Sequence, residues 1–214
     1  MGEQEVKHYE ARWQEEEYYY PSPDFIGQAN CTDSSVYDRF SLDNFPECFR
    51  EMAELLDWDK YWHTTLDTSD APCWKWFVGG RINACYNCVD RHLAKYRNKV
   101  AIYFVGEPEE ERILKITYQE LWRRVNEVAA LLRDFCGLKA GDRVTLHLPM
   151  TPELPITMLA CARLGVIHSQ VFAGFSGKAC GERIVDSESE VLITMDSYYR
   201  QVICLTINKR QMRQ

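Results

Sequence analysis

The sequence predicts an α/β fold: a parallel sheet flanked by helices, entered through a wrapping N-terminal segment. Three observations carry this. Between Arg143 and Met195, strand-like and helix-like stretches alternate at short spacing, the order expected when parallel strands are joined by covering helices. Thr117 to Gly137 carries both the start and the stop of an amphipathic helix. Finally, 214 residues with 46% hydrophobic content are enough for one substantial core.

Taken in order, residues 1–82 are rich in aromatic and acidic side chains. A helical run is expected from Asn44 to Trp58, where Phe45, Phe49, Met52, Leu55 and Leu56 recur every three or four positions. Pro21, Pro23, Asp70 and Pro72 surround it, so the region reads as helices and loops wrapped on something larger. Its tryptophans read as packing residues. Residues 83–200 are more regular. Val89 to Tyr96 suggests a short helix, and Lys99 to Val105 with Ile113 to Ile116 suggests a hairpin around the acidic turn Gly106 to Arg112. Thr117-Tyr118-Gln119-Glu120 has the form of a capping box, opening a helix that should run to about Cys136. Leu121, Val125, Val128, Leu132 and Phe135 form its apolar stripe, and Gly137 ends it. Strands are expected at Arg143 to Leu148, Val166 to Phe172 and Val191 to Met195. Helices at Pro152 to Leu164 and near Gly177 to Asp186 should join them. In such sheets ligands bind at the loops leaving the carboxyl ends of the strands.

The formal net charge of −7 and the lack of a dense Lys/Arg stripe argue against a nucleic-acid partner. No apolar run approaches the roughly 20 residues of a membrane span, and Met1 to Tyr20 is too charged for a secretion signal. A cytoplasmic protein acting on small molecules is the expectation. Nine cysteines, an odd number scattered through core-like segments, read as free thiols. Cys85 and Cys88 have the spacing of half a zinc site, with His92 one helical turn further on. No second Cys/His pair at matching spacing completes it, so no metal ligands are assigned.

The loop Phe172-Ala173-Gly174-Phe175-Ser176-Gly177-Lys178 looks superficially like a phosphate loop. A Walker A motif needs glycine six positions before its lysine and Ser or Thr directly after it. Phe172 and Ala179 stand at those positions, which excludes the motif. Small residues at Ala173 and Gly174 would let a flat ring approach the backbone, and a plain tight turn before a helix explains them as well.

The run Trp74-Lys75-Trp76-Phe77-Val78-Gly79-Gly80-Arg81, continuing through Asn83, Cys85 and Cys88 to His92, closely resembles the N-terminal region of AMP-forming acetyl-CoA synthetases. These belong to the adenylate-forming superfamily. The resemblance continues through Leu148-Pro149-Met150-Thr151-Pro152-Glu153, through Leu159 to Gly165, and through the Phe172 loop, covering roughly residues 15 to 200. It implies that residues 1–82 are the N-terminal segment of that type and residues 83–200 the start of the AMP-dependent synthetase/ligase large domain. Residues 201–214 are a divergent tail. It also implies the activity of a complete family enzyme, joining acetate to ATP as acetyl-adenylate and passing the acetyl group to coenzyme A, with magnesium serving the first step. A ligase for propionate or another short acid, and a non-catalytic module binding coenzyme A or a partner protein, are the alternatives.

Carried over by position, Phe172, Ala173 and Gly174 match the family's loop against the adenine end of coenzyme A. Arg200 matches the first arginine of an Arg-x-Gly-Arg element that meets the 3′-phosphate, a task suited to a guanidinium fork. Ile203 stands where the second arginine would be. No catalytic residue is assigned, and His92 and His168 read as structural. The Ser/Thr/Gly-rich phosphate loop, acetate pocket and catalytic lysine of the family have no counterpart in the sequence. The chain is therefore expected to be an inactive fragment, with Gln201 to Gln214 read as a frameshift or a misplaced gene end.

Overall fold

A computed structural model describes residues 19–107, 113–200 and 203–206, with backbone alone at 200 and 203–206. The expected acidic turn and most of the divergent tail lie outside the described residues. The chain divides into two compact units, Met1–Glu51 and Met52–Gln214. No helix among the described residues is long and apolar enough to cross a membrane.

In the first unit, Ser22 opens α1 (Pro23–Gly27) by accepting the Phe25 N–H at 3.3 Å, and Pro23 supplies the fixed φ favoured at a helix start. Asp33 accepts from the backbone and hydroxyl of Ser35 at the head of α2 (Ser35–Arg39). The expected helix from Asn44 to Trp58 is not formed. A 3-10 turn covers Leu42–Asn44, and α3 is confined to Phe49–Ala53. Pro46 is the reason: it has no N–H to donate and holds Phe45 in extended backbone, so the apolar period cannot become one helix.

The second unit begins with a hairpin of β1 (Thr64–Asp67) and β2 (Lys75–Val78), pairing Leu66 with Trp76. Trp58, Trp62 and Phe77 meet edge to face, with centroids 4.9 to 5.8 Å apart. Gly80 is forced by that cluster, since a Cβ there would fall 2.6 Å from the Trp58 ring and 2.9 Å from the Phe77 carbonyl oxygen. Asn83 caps α4 (Ala84–Cys88), accepting the Tyr86 N–H at 3.1 Å. The single helix expected at Val89 to Tyr96 is instead a 3-10 turn, Asp90–His92, and α5 (Leu93–Tyr96), because Val89 leaves helical backbone at φ −126°.

Strands β3 (Val100–Phe104) and β4 (Leu114–Thr117) form the expected antiparallel pair. Thr117 then accepts the Glu120 N–H at 3.2 Å and starts α6 (Tyr118–Ala130), while Glu120 turns to Arg124. Leu121, Val125 and Leu132 are buried as the stripe requires, but Phe135 is 85% exposed. The helix closes in a π turn at Leu131–Phe135, with the Cys136 N–H bonding the Leu131 carbonyl five residues back. That wider turn carries Phe135 out of phase with the stripe.

The core sheet has the order β6-β5-β7, all parallel: β5 (Arg143–Leu148), β6 (Ile167–Phe172) and β7 (Val191–Thr194). Helix α7 (Glu153–Leu164) joins β5 to β6, stopping at Gly165 in left-handed backbone, φ 73°. Helix α8 (Gly177–Ser187) carries the chain from β6 across to the far side of β5. The alternation along β5 is not one of inside and outside, since Thr145 and His147 are buried along with Val144 and Leu146. This is the condition of a central strand covered on both faces. One ion pair locks the sheet's helices to the segment before them. Arg163 on α7 donates to both carboxylate oxygens of Asp90 at 3.1 and 2.6 Å, and the Trp122 indole donates to the same carboxylate at 3.0 Å. A final hairpin, β8 (Ser197–Arg200) and β9 (Ile203–Thr206), was not foreseen at its first strand.

Candidate functional site

Strand order 6-5-7 places a reversal at β5. The chain leaves β5 toward one edge and returns on the other, so the carboxyl ends of β5 and β7 flank a topological switch point, where open α/β sheets hold their ligands. A cavity of about 540 Å³ lies there, walled by Phe104 and Leu114 from the hairpin, Met150 and Thr151 after β5, and Met195 and Tyr198 after β7. Thr151 ties its two sides together, its hydroxyl 3.7 Å from the Met195 sulfur. Glu107 and Glu153 are the charged groups in this lining and no cation joins them. The cavity suits an uncharged or cationic group and repels phosphate.

The loop after β6 is of another kind. Phe172 is 46% exposed, Ala173 is 7% exposed, and Gly174 lies open beside them. The Phe175 N–H bonds the Phe172 carbonyl at 3.0 Å, closing a turn, and Ser176 then caps α8 by accepting the Ala179 N–H at 3.2 Å. The rings of Phe172 and Phe175 stand at 84° with centroids 5.9 Å apart. The Arg183 guanidinium lies over the Phe175 ring, 4.6 Å from its centroid.

Two residues that sequence reasoning passed over hold this loop. The Tyr198 hydroxyl donates to the Ala173 carbonyl at 2.9 Å, reaching from the segment after β7 over the end of β5. His147, next to last in β5 and level with Val171 and Thr194, lies beneath that bridge. Burial holds its imidazole below the ordinary histidine range, the Ala173 backbone pulls the other way by hydrogen bonding, and its Nε2 has no partner. Only strand pairing brings either residue to the loop, so no local pattern marks them. Phe175 and Arg183 had a local signal in principle, being eight positions apart across the start of a helix.

Phe172, Ala173 and Gly174 are therefore brought together on one turn. Arg200 ends β8 opposite Ile203, two positions after Tyr198, and its side chain lies outside the described residues. His92 packs beside Tyr118 with centroids 5.4 Å apart, and burial lowers the pKa of His168 on β6. Cys85 is buried and burial pushes its thiol up, while Cys88 is exposed.

Two family models match the chain. Residues 89–213 match "AMP-binding enzyme", and residues 35–88 match "Acetyl-coenzyme A synthetase N-terminus". Among similar curated proteins is the acetyl-coenzyme A synthetase of Pyrobaculum aerophilum, 47% identical over 77% of this chain and 26% of that protein. That of Wolinella succinogenes is 43% identical over 86% of this chain and 29% of its own length. That of Mycolicibacterium smegmatis is 47% identical over 86% of this chain and 19% of its own length. The chain thus spans less than a third of the length of each of these relatives.

Proposed function

This chain belongs to the AMP-binding enzyme family, and from that premise we propose that it carries the coenzyme A side of an AMP-forming acetate–CoA ligase. In the full reaction acetate and ATP give acetyl-adenylate and pyrophosphate, and the acetyl group then passes to the coenzyme A thiol. Residues 1–82 act as the N-terminal segment and 83–200 as the start of the large domain, in a cytoplasmic enzyme of small-molecule substrates. Phe172, Ala173 and Gly174 receive the adenine end of coenzyme A, and Arg200 receives its 3′-phosphate.

The observation that carries this is the Ala173 carbonyl held by Tyr198. It fixes a turn with an exposed aromatic ring on one side and an open glycine on the other, which is what a purine needs in order to lie flat against backbone. ATP and magnesium are given no residue here: among the described residues no group of three or more His, Cys, Asp or Glu gathers to hold a metal ion. We further propose that the isolated 214 residues form neither acetyl-adenylate nor acetyl-CoA, because no Ser/Thr/Gly-rich loop ending in lysine occurs in them to orient a triphosphate.

Calorimetric titration with coenzyme A, alongside acetate-dependent pyrophosphate exchange, tests both parts. Coenzyme A binding that Phe172→Ala weakens, without exchange, is the expected result. Exchange above background refutes the second part, and absence of binding refutes the first. The lack of a triphosphate loop also favours a second reading, a non-catalytic coenzyme A-binding module. Binding without turnover, even when the remaining length of a relative is supplied in trans, would select it.

A further inference from the structure

We propose that Arg183 is a further binding residue of this site, gripping the phosphate on the ribose of an adenine-bearing ligand whose base lies on Phe172. The proposal rests on the coenzyme A reading above and adds a residue to which that reading gives no role.

Position comes first. Arg183 projects from α8, the helix that starts directly after the Phe172 loop, and its guanidinium covers the Phe175 ring. Phe175 in turn stands edge to face with Phe172. One aromatic ring therefore separates the cation from the exposed ring offered to a base, a separation comparable to that between a purine and the phosphate on its own ribose.

The guanidinium is also held in advance. One nitrogen, Nη1, donates to the Ala179 carbonyl at 2.9 Å, one turn back on the same helix. Stacking on Phe175 fixes the plane, so little side-chain freedom is left to lose on binding. Stacking uses the face of the group and leaves the in-plane N–H fork at its edge, the geometry that meets a phosphate through two oxygens.

Charge points the same way. Arg143 is paired with Glu188 at 3.0 Å and Arg163 with Asp90 at 2.6 Å, whereas Arg183 makes no ion pair among the described residues. The switch-point cavity offers Glu107 and Glu153 and would repel a phosphate. An anionic ligand end is thereby directed to the α8 side of the sheet.

The test compares coenzyme A with 3′-dephospho-coenzyme A, two probes that differ by that one phosphate, titrated into the full 214-residue chain. The parent chain should bind coenzyme A about tenfold or more tightly than the dephospho form, the range of a charge-assisted hydrogen bond. Arg183→Gln should weaken coenzyme A by about the same factor and leave the dephospho form unchanged, collapsing the ratio toward one. Arg183→Lys, which keeps the charge and loses the fork, should recover part of it. If Arg183→Gln weakens both probes equally, or neither, Arg183 serves only the loop and the proposal fails while the coenzyme A reading stands. A parent chain that binds both probes equally overturns it in the same way. A parent chain that binds neither overturns both, and the Lys variant guards against mistaking a misfolded Gln variant for lost contact.

Discussion

Replacing Arg163 by Met removes the cation that joins α7 to the segment before the sheet while keeping an unbranched apolar side chain in its place. The pair it breaks is bidentate, at 3.1 and 2.6 Å, and its side chains are only 22% and 17% exposed. Losing one partner of a fully buried pair costs about 3–5 kcal/mol, most of it from the charge left behind. Here Asp90 keeps the Trp122 indole at 3.0 Å and some solvent, so about 2–3 kcal/mol is expected for Arg163→Met. With a urea m value of about 2 kcal/mol/M for a chain of this size, the midpoint should fall by about 1–1.5 M at unchanged slope, read by far-ultraviolet circular dichroism. Asp90→Asn in the Arg163→Met background relieves the stranded carboxylate. The double variant should therefore be more stable than the sum of the two single losses, by about 1–2 kcal/mol. A loss below about 0.5 kcal/mol for Arg163→Met, or strict additivity in the cycle, would refute the reasoning by showing the pair to be solvated and idle.

Tyr198→Phe deletes one hydroxyl and should lower stability by about 1 kcal/mol and weaken coenzyme A binding several-fold, read by melting and calorimetry; unchanged values for both would mean that the bond to Ala173 holds nothing. Gly80→Ala drives a methyl into the Trp58 ring and the Phe77 carbonyl and should cost about 1–3 kcal/mol in urea unfolding, unless the hairpin shifts to make room. Burial depresses the pKa of His147, so its contribution to stability is fully present above the ordinary histidine value and declines as pH falls through that value toward the folded one. Thermal melts at about pH 7.5 and 5.5 should show a loss at the lower pH that His147→Gln reduces, with the similarly depressed His168 supplying part of the remainder.

What was legible in the chain was what neighbours along it decide. The Thr117 cap, the Gly165 stop, the hairpin at Val100 to Thr117 and the order of the parallel strands each follow from a few adjacent residues and appear where expected. The failures are also physical. The period from Asn44 to Trp58 was that of a helix, but one proline outweighed it. Phe135 belonged to the stripe by ordinary helical spacing, and a single wide turn moved it to solvent. At the candidate site the loop itself was visible, because a small-residue turn after a strand is local. The residues that grip it were not: Tyr198 and Ala173 meet only because β6 and β7 lie on opposite sides of β5, and that order is a property of the whole sheet.

The bond between Tyr198 and Ala173 also spans two openings that differ in charge. Its hydroxyl end anchors the loop beside Phe172, while its ring is part of the wall of the switch-point cavity. A strut shared in this way makes the two openings answer to one equilibrium. Any occupant of the cavity that displaces the ring changes the affinity of the loop for its ligand by some factor, and the loop ligand must change the affinity of the cavity by that same factor. Two sites on either side of a central strand, separate in shape and in polarity, are thus joined through a single phenol.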